Sequence, residues 1–263
     1  MDHKAKVTLL LLLLSGLCNA HTGDHSKKED ISTTIIRMNN GTLVQQLIEG
    51  DMLIPKTRNA LKCHNKQYSC FWPKSTNGNV EVPFVISPKY DKDERKTILT
   101  AMKGFEPKTC IRFVPRTNQR AHLSLEPKFG CFSSLGRVGE KQLVSLQRYG
   151  CVEKGIVQHE LLHALGFYHE HNRSDRDKYV KIHWDNMPDI VKVNFKKMDT
   201  DNLNTKYDYS SVMQYGKTAF GTDGKETITP IPDPNVPIGQ RVGMSDIDIL
   251  RVNRLYNCSK YKQ

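Results

Sequence analysis

Apolar residues recur along this chain at two different periods. Between Asp91 and Phe105, the residues Ile98, Leu99, Met102 and Phe105 fall three and four apart, which predicts an amphipathic helix. Val80–Ser87, Ile111–Pro115 and Ala121–Glu126 are short runs rich in apolar and β-branched residues and predict strands, with Gln142–Leu146 as one more. A second helix is expected from about Glu153 to Leu165. A third, over about Ser245–Tyr256, opens on a serine able to cap it, followed by acidic residues that suit the positive end of a helix. Between these two helices lies a long irregular stretch with many Pro and Gly. Strands and helices are mixed before the second helix and nearly absent after it, so the expected class is α+β. There are no internal repeats.

The N-terminus follows other rules. Lys4 and Lys6 precede an apolar run from Val7 to Leu14, and Cys18-Asn19-Ala20 places small residues where a signal peptidase cuts. Residues 1–20 therefore read as a secretory signal, with the cut after Ala20. The run is too short to span a bilayer, and no later stretch is long enough. Residues 21–58 are polar and charged, with little expected to enter a core. Residues 59–263 then form one domain; 263 residues at 38% hydrophobic content suffice for one core.

Of seven cysteines, Cys18 leaves with the signal. The remaining six are an even number in a secreted chain and imply disulfides, with fifteen possible pairings. Zinc binding by cysteine is disfavoured, because no Cys-x-x-Cys occurs.

The strongest chemical signal is His159-Glu-Leu-Leu-His-Ala-Leu-Gly-Phe-Tyr-His169. His159 and His163 are four apart, so on a helix they share a face and can hold one zinc ion between them. Glu160 sits at the edge of that site, where a carboxylate can take a proton from water on the metal. Gly166 can adopt a positive φ, end the helix and bring His169 back as a third ligand. Three ligands leave a position for water, which distinguishes a catalytic zinc site from a structural one. A buried helix with incidental histidines is the competing account of His-Glu-x-x-His; the added Gly and third His weigh against it.

The extended pattern is the metzincin signature. With Glu170 after the third histidine, and Ser211-Val-Met-Gln-Tyr215 downstream as a Met-turn, the chain from about Leu47 to Cys258 resembles the astacin family of zinc endopeptidases. Asn59-Ala-Leu-Lys-Cys63 with Cys70-Phe-Trp resembles its six-cysteine, hatching-enzyme-like branch, of choriolysin and nephrosin type. The resemblance implies the astacin fold: a mixed β-sheet with long helices in the N-terminal subdomain, an active-site cleft, and a loop-rich C-terminal subdomain ending in a helix. It implies the disulfides Cys110–Cys258 and Cys131–Cys151, and with them Cys63–Cys70. It implies that residues 21–58 are a propeptide, whose Gly50-Asp51 places Asp51 on the zinc as an aspartate switch. Lys56-Thr-Arg58 offers the activation cut, with Asn59 as the first mature residue. It implies that Tyr215 hydrogen-bonds the oxyanion of the intermediate, that Met213 forms an apolar floor under the histidines, and that Glu170 anchors the mature N-terminus. Gln214 departs from the family's usual His, with no chemical role attached. His64, His122 and His183 read as ordinary structural or surface histidines.

The expected function is thus that of a secreted zinc endopeptidase made as a zymogen, with one Zn2+ per chain. Its partners would be protein substrates of the extracellular matrix or egg envelope, and it would act as a monomer. An enzyme of immune or haematopoietic tissue would carry the same motifs. A catalytically silent, zinc-stabilised binding protein is the alternative from another class, disfavoured by the retention of Glu160 and Tyr215. The formal charge is +11, and residues 1–58 carry seven Lys/Arg against six Asp/Glu, so the excess sits in the expected mature part. Such a surface suits acidic proteins or glycan-rich matrices; there is no nucleic-acid motif. The resemblance implies a preference for an acidic residue just after the scissile bond, and Lys217, Lys225 and Arg241 lie in the segment that would line such a pocket. Sequons fall at Asn40, Asn172 and Asn257.

Overall fold

The computed structural model describes residues 29–40, 47–53, 70–240 and 242–261. The expected signal, the cut at Arg58–Asn59, and Cys63, His64 and Arg241 fall outside them. Chain order begins with helix α1 (Ile31–Asn39) and the short strands β1 (Leu47–Ile48) and β2 (Met52–Leu53). Strand β3 (Val80–Ile86), helix α2 (Lys92–Lys103), β4 (Ile111–Pro115), β5 (His122–Glu126), β6 (Cys131–Ser133) and β7 (Lys141–Leu146) follow. Then come helix α3 (Lys154–Ala164), the strands β8 (Val180–Ile182) and β9 (Ile228–Pro230), and helix α4 (Asp246–Leu255).

One seven-stranded sheet runs β1-β2-β6-β7-β5-β3-β4. Strands β4, β3, β5 and β7 are mutually parallel, while β6 runs antiparallel to β7 and pairs with β2. Helices α2 and α3 pack on the sheet and on each other, with Ile98, Ala101 and Met102 facing Ile156, Val157 and Leu161 inside one core. Leu99, expected on the buried face of α2, is 37% exposed. It lies one residue, or about 100° of rotation, away from Ile98, and Ala101 takes the place beside the core. A reciprocal box, Asp91 capping Glu94 N–H and Glu94 accepting from Asp91 N–H, starts α2. After α3 the chain is mostly 3-10 turns, with β8 and β9 as a single two-stranded ribbon.

Two disulfides tie the layers together. Cys110–Cys258 joins the start of β4 to the end of α4, 148 residues apart. Cys131–Cys151 joins β6 to the turn before α3. Cys70 is also disulfide-bonded.

The segment expected to bring little to the core is corrected by the structure. Ile31, Ile35 and Met38 are spaced four and three apart and lie in the main core. Arg37 points away and pairs with Glu29. Asp30 caps the helix by accepting the Thr33 N–H. At its other end the Asn39 amide donates to the carbonyls of Cys131 and Gly50, and its oxygen accepts the Cys131 N–H. Leu47 and Met52 are buried too. The stretch is short and its neighbours are charged, which hides a one-sided apolar stripe from a reading by composition.

Asn172 is fully buried, and its amide donates to the carbonyls of Asn194 and Lys196. A glycan on that amide would displace both bonds. Asn40 and Asn257 are exposed. Among the described residues no helix is long and apolar enough to cross a membrane.

Because Ile35 is 1% exposed within the main core, Ile35→Ala should destabilise the full-length chain by about 2–5 kcal/mol. Urea unfolding of the uncut protein measures this; an unchanged midpoint would mean that α1 does not dock as described.

Candidate active site

Helix α3 carries His159, Glu160 and His163 on its last two turns, all buried. Gly166 then turns the chain at φ +103, a backbone conformation that glycine takes without strain. The Gly166 N–H donates to the His163 carbonyl and the Phe167 N–H to the Leu162 carbonyl, the paired bonds of a Schellman stop. The freed helix-end carbonyls of Ala164 and Leu165 accept from the Trp72 indole and the Tyr256 phenol. The turn delivers His169 beside the other two. Its Nε2 lies 3.2 Å from that of His159, which lies 3.1 Å from that of His163.

The second nitrogen of each ring fixes what the first can do. His159 Nδ1 faces the Val212 carbonyl at 2.9 Å and His163 Nδ1 the Phe167 carbonyl at 2.7 Å. His169 Nδ1 faces a Glu49 carboxylate oxygen at 2.9 Å. A carbonyl or carboxylate only accepts, so each Nδ1 carries the proton and each Nε2 turns a lone pair inward. The fourth member is Asp51. One of its oxygens is 3.0 Å from His159 Nε2 and 3.2 Å from His169 Nε2; the other is 3.2 Å from His163 Nε2. Three lone pairs and a carboxylate converging in a dry site repel one another unless a cation lies among them. Four nitrogen and oxygen donors this close suit one tetrahedral zinc. The residues therefore fit the metal that the motif implies, and the cofactor is one zinc ion.

Glu160 lies beside this cluster, buried, with neither oxygen hydrogen-bonded among the described residues. Burial, with Asp51 nearby, pushes its carboxyl well above the ordinary range; a bound cation acts in the opposite sense. Tyr215 is equally buried; its ring centroid is 4.5 Å from that of His169 and 4.0 Å from that of His171. Its hydroxyl donates to the Glu49 carbonyl. Met213 is buried in the core behind the site. Gly50 has φ +80, and a Cβ there would lie 2.8 Å from Phe220 and 3.2 Å from the Tyr215 hydroxyl. Only glycine lets Glu49 and Asp51 reach the histidines together.

The expected anchoring of the mature N-terminus by Glu170 involves Asn59, outside the described residues; in this chain Glu170 is held by other groups. Arg251 on α4 grips both carboxylate oxygens, Asp208 N–H donates to one at 2.7 Å, and Arg173 stands 3.6 Å away. It braces the turn after His169 against the last helix. Gln214 is not idle: it accepts from the Tyr207 hydroxyl and donates to the Tyr215 carbonyl. His183 meets the Thr229 hydroxyl and His122 the Arg120 carbonyl, away from the cluster. Lys217 is spent on the Pro234 carbonyl, whereas Lys225 is exposed. Sequence reasoning missed Glu49 and His171. A carboxylate two residues before Asp51 was the available sign of the first, and His171, two residues past His169, stood in the motif itself.

Comparison with known proteins agrees with this geometry. The profile of the peptidase family described as Astacin matches residues 65–257. The low choriolytic enzyme of Oryzias latipes is 58% identical over 98% of this chain and 100% of its own length. The high choriolytic enzyme 1 of the same fish is 56% identical over 87% of this chain and 84% of its own. A solved structure of high choriolytic enzyme 1, described as a hatching enzyme zinc-protease, superposes with a TM-score of 0.72 at 56% identity. It covers 76% of this chain and all of that one.

Removing one partner of a buried ion pair leaves the other charge stranded. Arg251→Ala should therefore cost about 3–5 kcal/mol of stability. Denaturant unfolding beside a surface control such as Lys225→Ala measures it; equal midpoints would show that Glu170 is held by its other donors alone.

Proposed function

The chain belongs to the astacin family of zinc metalloendopeptidases, and we propose that it is a secreted hatching-type enzyme, held latent by residues 21–58 and acting on egg-envelope glycoproteins. The choriolytic relatives and their near-complete overlap support the substrate class. The disulfides belong to an oxidising, extracellular setting.

The observation that carries the mechanism is the junction of Asp51, three inward-facing histidines and an unpaired buried Glu160. His159, His163 and His169 hold the zinc in the active enzyme, and Asp51 is the fourth ligand only in the latent chain. Zinc supplies Lewis acidity to a water and to a peptide carbonyl. Glu160 takes the water's proton and passes it to the departing amine. Tyr215 donates its hydroxyl to a peptide carbonyl beside the histidines. In the latent chain that carbonyl belongs to Glu49; in the active enzyme it belongs to the substrate, whose oxygen gains charge as the water adds. Met213 fills the space behind the ligands, and Glu170 keeps the turn after His169 in register with α4. Cutting between Arg58 and Asn59 separates the latency segment, and the Cys63–Cys70 link stays with the enzyme.

A casein digest by the processed protein should stop with 1,10-phenanthroline. Glu160→Ala should keep its zinc and lower hydrolysis by about 10²–10⁴-fold; undiminished activity in that variant would overturn the base assignment.

Latency has its own test. Arg58→Ala blocks the cut. The double variant Arg58→Ala/Asp51→Ala should hydrolyse a small peptide that the single variant cannot. If both are folded, zinc-loaded and silent, the segment inhibits by bulk and not through Asp51.

A further inference from the structure

The Met-turn is gripped from the start of α4 by a carboxylate to which the chemistry above gives no part. Asp248 is 3% exposed. Its Oδ2 accepts the N–H groups of Val212 at 3.0 Å and Ser245 at 2.9 Å. Its Oδ1 accepts the Ser211 hydroxyl at 2.6 Å. Having donated that proton, Ser211 Oγ accepts the Met213 N–H at 3.0 Å. The Met213 N–H and the Val212 carbonyl belong to one planar peptide unit. That carbonyl accepts His159 Nδ1–H at 2.9 Å.

A single file of hydrogen bonds therefore runs from carboxylate to hydroxyl to peptide to imidazole. All of its donors point towards Asp248, so each bond polarises the next in the same sense. We infer that Asp248 is a positioning residue for the zinc ligand His159, acting through Ser211 and the Val212–Met213 peptide. It fixes the ring's tautomer and direction and strengthens Nε2 as a donor, as a carboxylate does when it touches a ligating histidine directly. The other two ligands differ. His163 leans on the lone carbonyl of Phe167, and the carboxylate behind His169 belongs to Glu49, in the segment proposed to leave. His159 is the ligand whose backing carboxylate is built into the domain itself.

Asp248 also belongs to the capping box of α4, since the Ser245 hydroxyl accepts the Asp248 N–H. The test must separate that duty from the relay. Ser211→Ala cuts the relay and leaves the contacts of Asp248 to the N–H groups of Val212 and Ser245. Ser245→Ala removes the helix cap and leaves the relay. The full-length chain, loaded with zinc, is challenged with a colour-forming chelator, and Tm is recorded alongside. Ser211→Ala and Asp248→Asn should bind zinc about 10–100-fold more weakly. Ser245→Ala should lower Tm and hold zinc as the unaltered chain does. The proposal is overturned if Ser211→Ala retains zinc normally, or if zinc loss merely follows Tm across Ser211→Ala and Ser245→Ala. Should Asp248→Asn fail to fold, the two serine variants decide alone.

Discussion

Three imidazole lone pairs aimed at one point in a dry interior coexist only around a cation, and the rest of the molecule is arranged to keep them aimed. Each ring is pinned from behind by an acceptor on a different part of the chain: Val212 in the Met-turn, Phe167 after the helix stop, and Glu49 in the N-terminal segment. The pins are themselves fixed. The Met-turn is tied to α4 and α4 to β4 through Cys110–Cys258. The turn after His169 is tied to α4 through Glu170 and Arg251. The loop-rich half has few regular backbone ladders, so its geometry rests on these side-chain ties to the end of the chain.

The N-terminal segment fills the same site. Asp51 occupies the ligand sphere, the Glu49 carboxylate backs His169, and the Glu49 carbonyl occupies the Tyr215 hydroxyl. These contacts are local, but α1 buries Ile31, Ile35 and Met38 in the main core and β2 extends the sheet beside β6. Polar contacts set the register of the segment, and apolar burial supplies most of its hold, because burial scales with area while ligand contacts number only a few.

The zinc motif was legible because its spacing is the helix period and its glycine marks the stop. Helix α2 was legible from its apolar periodicity, α3 from the spacing of the zinc motif, and α4 from Ser245 as a cap, each within two residues of its bounds. Helix α1 was not: three apolar residues on one face are diluted by Glu29, Asp30 and Arg37 around them. Strand β6 has only three residues, Cys131–Ser133, and is defined by its neighbours β2 and β7 more than by its own pattern. The partners of Glu170, Gln214 and Asp248 were illegible for another reason. They lie between 1 and 81 residues away along the chain, and nothing local in a sequence says which buried polar groups will meet.

The docking of α1 has a consequence for timing. While the chain is continuous, the segment docked on the histidines is tethered to them, so its effective concentration is set by the link between residues 53 and 70 and not by how much protein is present. Dilution cannot undo docking of this kind. Once the link is cut, the same contacts become an ordinary bimolecular equilibrium, and the surrounding volume decides how many clefts are open. Crowding of cut chains would keep the segment docked, and dilution would free it.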